Sequence, residues 1–165
     1  MDFTLKQWNI NDADSLVLYA NNENIARFMT NQFPHPFTLE HAQAFINNAT
    51  QHQPTKIFAI TVNNQAVGGI GIHPQADIYC NNAELGYWLA QPFWGHGVAT
   101  KAIKQIVNYG FNTFSINRIY ARPYGNNIAS QKVLKKAGFT LEATLQNTIL
   151  KNDELLDELI YAVRR

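Results

Sequence analysis

The chain has 165 residues, 46% of them apolar, a formal net charge of +1, 15% charged residues and one cysteine, Cys80. That length fits one globular domain spanning residues 1–165, and the near-neutral charge excludes a sequence-wide footprint for nucleic acid. A lone cysteine excludes an intramolecular disulfide and suits a reducing compartment, and no apolar run reaches the roughly 18 residues of a spanning helix, so the expectation is a cytoplasmic chain without a membrane partner. The opening "MDFTLKQW" also lacks the basic-then-apolar order of a signal peptide.

In chain order, "FTLKQW" alternates like a short strand. "NDADSLVLYANN" reads as a helix capped by Asn11, with Asp12 and Asp14 at its positive end and Leu16, Val17 and Ala20 on one face. A short helix follows over Asn24–Met29. The Pro-rich loop "TNQFPHPFT" ends at Thr38, which caps a helix whose stripe is Ala42, Phe45, Ile46 and Ala49. "KIFAITVNNQAVGGIGIH" predicts two strands around an Asn63–Asn64 turn, with "GGIG" as a bulge or a place of close packing. "NNAELGYWLAQ" is a further strand, and a long helix begins near Val98. "INRIYARP" is a strand, and "NIASQKVLKKAG" is a helix with Asn127 near its start and Gly138 as its stop. "FTLEATLQNTIL" and "DELIYAVRR" are strands joined at Asn152–Asp153. Alternating strands and helices between terminal hairpins argue for an α/β (α+β) domain: a mixed sheet of about seven strands with helices on both faces.

The turn "WGHGVAT", residues Trp94–Thr100, sits between a strand and the long helix. The first turn of a helix carries unpaired N–H groups and the positive end of the dipole, and two glycines let a ligand approach the backbone. An anion such as a pyrophosphate fits there, and so does an empty strand–helix turn. A Walker loop is excluded because Val98 and Ala99, not Lys and Ser/Thr, follow Gly97. A dinucleotide fingerprint fails too: Thr100 stands at the third glycine position, and no acidic residue ends "IYARP".

The run "ELGYWLAQPFWGHGVATKAI … NNIASQKVLKKAGF" resembles the GNAT superfamily of acetyl-CoA-dependent N-acetyltransferases, and within it the ribosomal-protein N-terminal acetyltransferase (Rim-type) branch. Gly97 and Ala99 match the superfamily's pyrophosphate turn, Trp94 takes its first position, and Asn127, Ser130, Gly138 and Phe139 match a second motif. The resemblance implies two splayed central strands and acetyl-CoA as cosubstrate, with no metal. It implies that Gly95, His96, Gly97, Val98, Ala99 and Thr100 hold the pyrophosphate. The pantetheine arm would run along Trp88, Leu89 and Ala90, and Asn127 and Ser130 would stand near the thioester. His96 also reads as an exposed turn residue that binding does not require.

Acetyl transfer needs a neutral amine, donors for the carbonyl oxygen as it gains charge, and a leaving thiolate that is tolerable unaided, its thiol pKa being about 8.5. A backbone N–H near Leu89 would serve the oxygen. Glu84 is the first candidate base, directly or through a water, and a structural carboxylate is its other reading. Glu142 is second, with a bracing role as its alternative, and His73 is third. Leu134 stands where many members place an acidic tyrosine, which leaves Ser130 as the donor to the thiolate. Phe33, His35 and Phe37 are expected at the substrate mouth, or as packing beneath it. The expected partner is a primary amine, small molecule or protein N-terminus. The oligomeric state is open, a homodimer included. The competing function is a non-catalytic acyl-CoA-binding sensor.

Overall fold

The computed structural model describes all residues, Met1–Arg165. The elements are β1 (Thr4–Gln7), α1 (Ala13–Ala20), α2 (Glu23–Ala26), α3 (Leu39–Ala49), β2 (Ile57–Val62), β3 (Gln65–Pro74), β4 (Asn82–Leu89), α4 (Val98–Thr113), β5 (Arg118–Ala121), α5 (Ile128–Lys136), β6 (Thr140–Lys151) and β7 (Glu154–Arg164). The strands lie in the order β1-β2-β3-β4-β5-β7-β6. The sheet is mixed: β4 and β5 are parallel, whereas the β1–β2, β2–β3, β5–β7 and β6–β7 pairs are antiparallel. Two compact units are formed, Met1–Gly71 with Tyr87–Ala102, and Ile72–Gly86 with Ile103–Arg165.

The first unit is built on helices that bury a stripe of small and branched side chains. Ala42, Ile46 and Ala49 of α3 and Leu16 and Ala20 of α1 are buried in one cluster with Trp8, Ala59, Ala66 and Trp88. Burying a side chain the size of Ile46 contributes about 2–3 kcal/mol, so this stripe, not helix propensity, holds α3 in place. Phe45 meets the edge of Trp8, ring centroids 5.3 Å apart. Thr38 caps α3 as expected, accepting from the His41 N–H. The cap expected at Asn11 is not formed: Asn9 caps a 3-10 turn, Ile10–Asp12, and α1 follows with Asp12 at its N-cap position and no side-chain cap bond. The Asn9 side chain accepts from the Asn11 N–H (2.9 Å), and the Asp12 carboxylate accepts from the Asn9 N–H (2.9 Å). Asp12 is buried and takes the Lys6 ammonium at 2.7 Å, which ties the turn to β1. The β2–β3 hairpin turns at Asn63 and Asn64, both with positive φ (49° and 63°), the signature of a type I′ turn. "GGIG" is a site of close packing: a Cβ on Gly68 would stand 2.6 Å from the Trp88 carbonyl oxygen.

The second unit is organised by β5, β7 and β6 with the body of α4. Ile103 and Ile106 of α4 are fully buried, as are Ile119, Leu134 and Tyr161. Gly110 of α4 sits against Ile119 and Ile72. The β6–β7 hairpin turns at Asn152 and Asp153 (φ 51° and 62°). The β4–β5 ladder is short: Asn82↔Arg118, Ala83↔Ile119 and Glu84↔Tyr120. β4 nevertheless runs on to Leu89.

Candidate active site

In the first unit, the end of β4 and the glycine turn are joined by specific bonds. The Ala90 N–H donates to the Val67 carbonyl at 2.8 Å. Successive residues of an extended strand aim their amides to opposite sides, so the Leu89 N–H points away from β3. The Leu89 carbonyl accepts from the Trp94 indole N–H at 2.6 Å, which pins the turn to the strand. Asn22 and Asn24 donate to the Gln91 side chain (3.0 and 3.1 Å) and steady the short 3-10 turn at residues 91–93.

Gly95 and Gly97 have φ of +80° and +75°, conformations that cost other residues about 1–2 kcal/mol. No atom lies within 4 Å of where a Cβ would stand on either. The bend demands the glycines, and the surface above them is open; packing supplies no reason for their size. Val98 is fully buried and anchors the start of the 16-residue α4, while residues 94–97 are exposed. His96 is thus an exposed turn residue, and Ala99 and Thr100 are half-buried.

In the second unit, one face of β4 and β5 is polar. Side chains two apart share a face, and paired positions of neighbouring strands lie side by side. Asn82 and Glu84 of β4 therefore stand beside Arg118 and Tyr120 of β5. The ladder register sets the Tyr120 side chain beside the Glu84 carboxylate on this face. The Arg118 guanidinium lies 4.8 Å from the centre of the Tyr120 ring and donates to Asn82 Oδ1 at 2.9 Å. Burial, followed by the Glu84 charge, pushes the Tyr120 phenol up; Arg122 and Arg118 oppose this. Tyr120 is a protonated donor across the neutral range. Glu84 itself is half-buried.

Arg122, just past β5, makes a two-bond fork to Glu158 (2.9 and 3.0 Å). That carboxylate raises the Arg122 pKa further, chiefly through the hydrogen bond. Gly125 N–H to Asp157 O (2.7 Å) and Leu159 N–H to Pro123 O (3.0 Å) fasten the following loop to β7. The loop delivers Asn127 as the N-cap of α5, its Oδ1 accepting from the Ser130 N–H at 3.1 Å. Gln131 Nε2 reaches back to the Gly125 carbonyl at 2.9 Å. Asn127 and Ser130 are thereby brought together, both half-buried.

Two expectations change on these contacts. Phe37 is 5% exposed and belongs to the core, so it offers no ring to a substrate mouth. Phe33 packs on it and on Trp88 (centroids 5.3 and 5.9 Å) but is only half-buried, and His35 is exposed. Glu142 is a brace: Arg118 donates to it at 2.6 and 3.1 Å, Arg164 binds its other oxygen, and the Arg118 hydrogen bond is the main cause that holds its pKa low. A carboxylate so engaged is a poor base. His73 is exposed near the end of β3. Leu134 is fully buried, so no polar group stands at the position it occupies in the acid motif.

Sequence reading did not single out Tyr120, Arg122 or Glu158. Strand alternation places Tyr120 on a face, but the Glu84↔Tyr120 register depends on the sheet order. Arg122 and Glu158 are 36 residues apart in the chain.

The open glycine turn at the start of α4 and the asparagine-capped start of α5 are features, each within its own unit, that recur in acyltransferases of one class. The profile of the acetyltransferase (GNAT) domain family matches residues 2–140. The chain belongs to that family and is an acyltransferase. It is 28% identical over 167 residues to the uncharacterised N-acetyltransferase p20 of Bacillus licheniformis, covering 97% of this chain and 91% of that protein. It is 26% identical over 117 residues to the ribosomal-protein-serine acetyltransferase of Escherichia coli K12, covering 70% of this chain and 65% of that one. Among solved structures, the microcin C7 self-immunity acetyltransferase MccE, in complex with acetyl-CoA and AMP, superposes with a TM-score of 0.84 at 26% identity, covering 99% of this chain and 93% of that one. No helix of the chain is long and apolar enough to cross a membrane.

Proposed function

We propose that this chain transfers the acetyl group of acetyl-CoA directly to a primary amine, a protein N-terminus or a small-molecule amine. The observation that carries the reading is the turn at Gly95 and Gly97, left-handed and open above both glycines at the start of α4. Main-chain N–H groups from Gly95 to Thr100 hold the diphosphate, with the helix dipole behind them. Trp88–Ala90 offer backbone to the pantetheine arm, and Asn127 and Ser130 stand at the thioester end. The ribosomal-protein-serine acetyltransferase relative and the acetyl-CoA complex of MccE support the donor and leave both amine classes as acceptors.

Bound acetyl-CoA supplies an activated acyl carbon. Glu84 accepts a proton from the amine, directly or through a water, so that the nitrogen attacks with a free electron pair. The Leu89 N–H donates to the carbonyl oxygen as charge builds on it. The new C–N bond replaces the C–S bond, and Ser130 donates a hydrogen bond to the departing sulfur. Phe33 and His35 lie on the acceptor side. Calorimetry with acetyl-CoA, followed by a panel of amines assayed by release of free thiol, tests the reading. Saturable heat and thiol release with some amines are expected. No heat at about 1 mM acetyl-CoA, a dose that registers binding as weak as roughly −4 kcal/mol, would overturn it.

A further inference from the structure

A base must present one oxygen in a fixed direction. A glutamate carboxylate on a flexible stem has two equivalent oxygens, so something beside it has to choose. On β4 the only residue brought level with Glu84 by the parallel ladder is Tyr120 of β5. Resting on the reading of Glu84 as the base, we propose that Tyr120 is its positioning residue: the phenol donates its proton to one Glu84 oxygen and holds the other toward the amine.

The geometry behind the phenol favours this. The ring cannot swing freely, because the Arg118 guanidinium lies 4.8 Å from its centroid. Arg118 is itself held at three points, by Asn82 Oδ1 (2.9 Å) and by two bonds to Glu142 (2.6 and 3.1 Å). A line of contacts therefore runs from Glu142, fixed also by Arg164, through Arg118 to the Tyr120 ring, which the ladder sets beside Glu84. Glu142 acts in the site at a distance, by holding the arginine that holds the ring. An ionised carboxylate only accepts hydrogen bonds, so a protonated phenol is the partner that orders it without competing for its proton. The raised phenol pKa keeps Tyr120 in that protonated form. Fixing the attacking geometry is worth rate because misorientation is lost as entropy at the barrier.

Tyr120→Phe deletes the hydroxyl alone and keeps the ring under Arg118. Its kcat should fall about tenfold, the worth of one hydrogen bond to a charged group, with acetyl-CoA affinity and melting temperature unchanged. In a Glu84→Gln background the same change should cost less than about twofold, because a residue that acts through Glu84 has nothing left to act on. An equal loss in both backgrounds, or a wild-type rate in the single variant, overturns the proposal. A second readout needs no activity: NMR titration of the Tyr120 ring carbon. The groups facing the phenol are Glu84, Arg118 and Arg122, and the carboxylate raises its midpoint while the arginines lower it. Glu84→Gln should thus lower the pH at which Tyr120 ionises, and an unchanged midpoint means that the bond is absent and the proposal wrong. A wild-type chain that acetylates no amine would instead sink the functional reading, while the titration would still judge the Tyr120–Glu84 pair.

Discussion

Replacing Gly97 by alanine separates the two reasons a chain has for glycine in a helix-start turn. Gly97 has φ +75°, and a Cβ there meets nothing within 4 Å. The folding cost is therefore conformational alone, about 1–2 kcal/mol for an L-residue held in the left-handed region. For a chain of this size that is a fall of roughly 2–8 °C in melting temperature. Diphosphate binding should suffer separately, because the methyl group occupies the open surface over the turn's amides. We expect acetyl-CoA to bind at least about tenfold more weakly, some 1.4 kcal/mol, beyond anything the folding loss explains. Differential scanning calorimetry measures the first quantity and isothermal titration the second, at a temperature where the variant is fully folded. A variant that melts lower yet binds acetyl-CoA with wild-type affinity would refute the argument: the glycines would then serve the bend, and the ligand would be held elsewhere.

Glu84→Gln should lower kcat about a hundredfold or more, the usual worth of a positioned base, with acetyl-CoA affinity intact by titration. Ser130→Ala should slow turnover more than it weakens acetyl-CoA binding; equal losses would make Ser130 a binding contact only. Glu142→Gln tests the brace through pH. Its folded pKa lies below the unfolded value of about 4.3, so the stabilisation it brings is present above that value and is lost as pH falls through the lower, folded one. The wild type should lose stability across that acid window, and the variant should start less stable at neutral pH with a flatter acid limb in urea melts.

Much of the molecule was legible in the residue pattern alone, because local rules decide those features. The hairpin turns at Asn63–Asn64 and Asn152–Asp153, the Thr38 cap, the helix start near Asn127, and the apolar stripe of α3 each follow from a few neighbouring side chains. The glycine turn was equally plain, since only glycine readily takes the left-handed bend between strand and helix. Local reading erred where a distant partner intervened. Asn11 looked like a cap, but it lies inside a 3-10 turn that Asn9 caps, and α1 begins after that turn at Ala13. Phe37 looked like a mouth residue, but the Asn21 side chain accepts from its N–H at 3.0 Å and the loop folds its ring into the core.

The partners of the two carboxylates were decided only by the tertiary structure. Glu84 and Glu142 are both single acidic residues on strands, and nothing near either in the chain says which partners it will meet. The strand order β4-β5-β7-β6 brings two arginines onto Glu142 and a tyrosine onto Glu84. Which partner a charge meets across a sheet depends on register between segments far apart in sequence, and a pattern read one segment at a time carries no information about that.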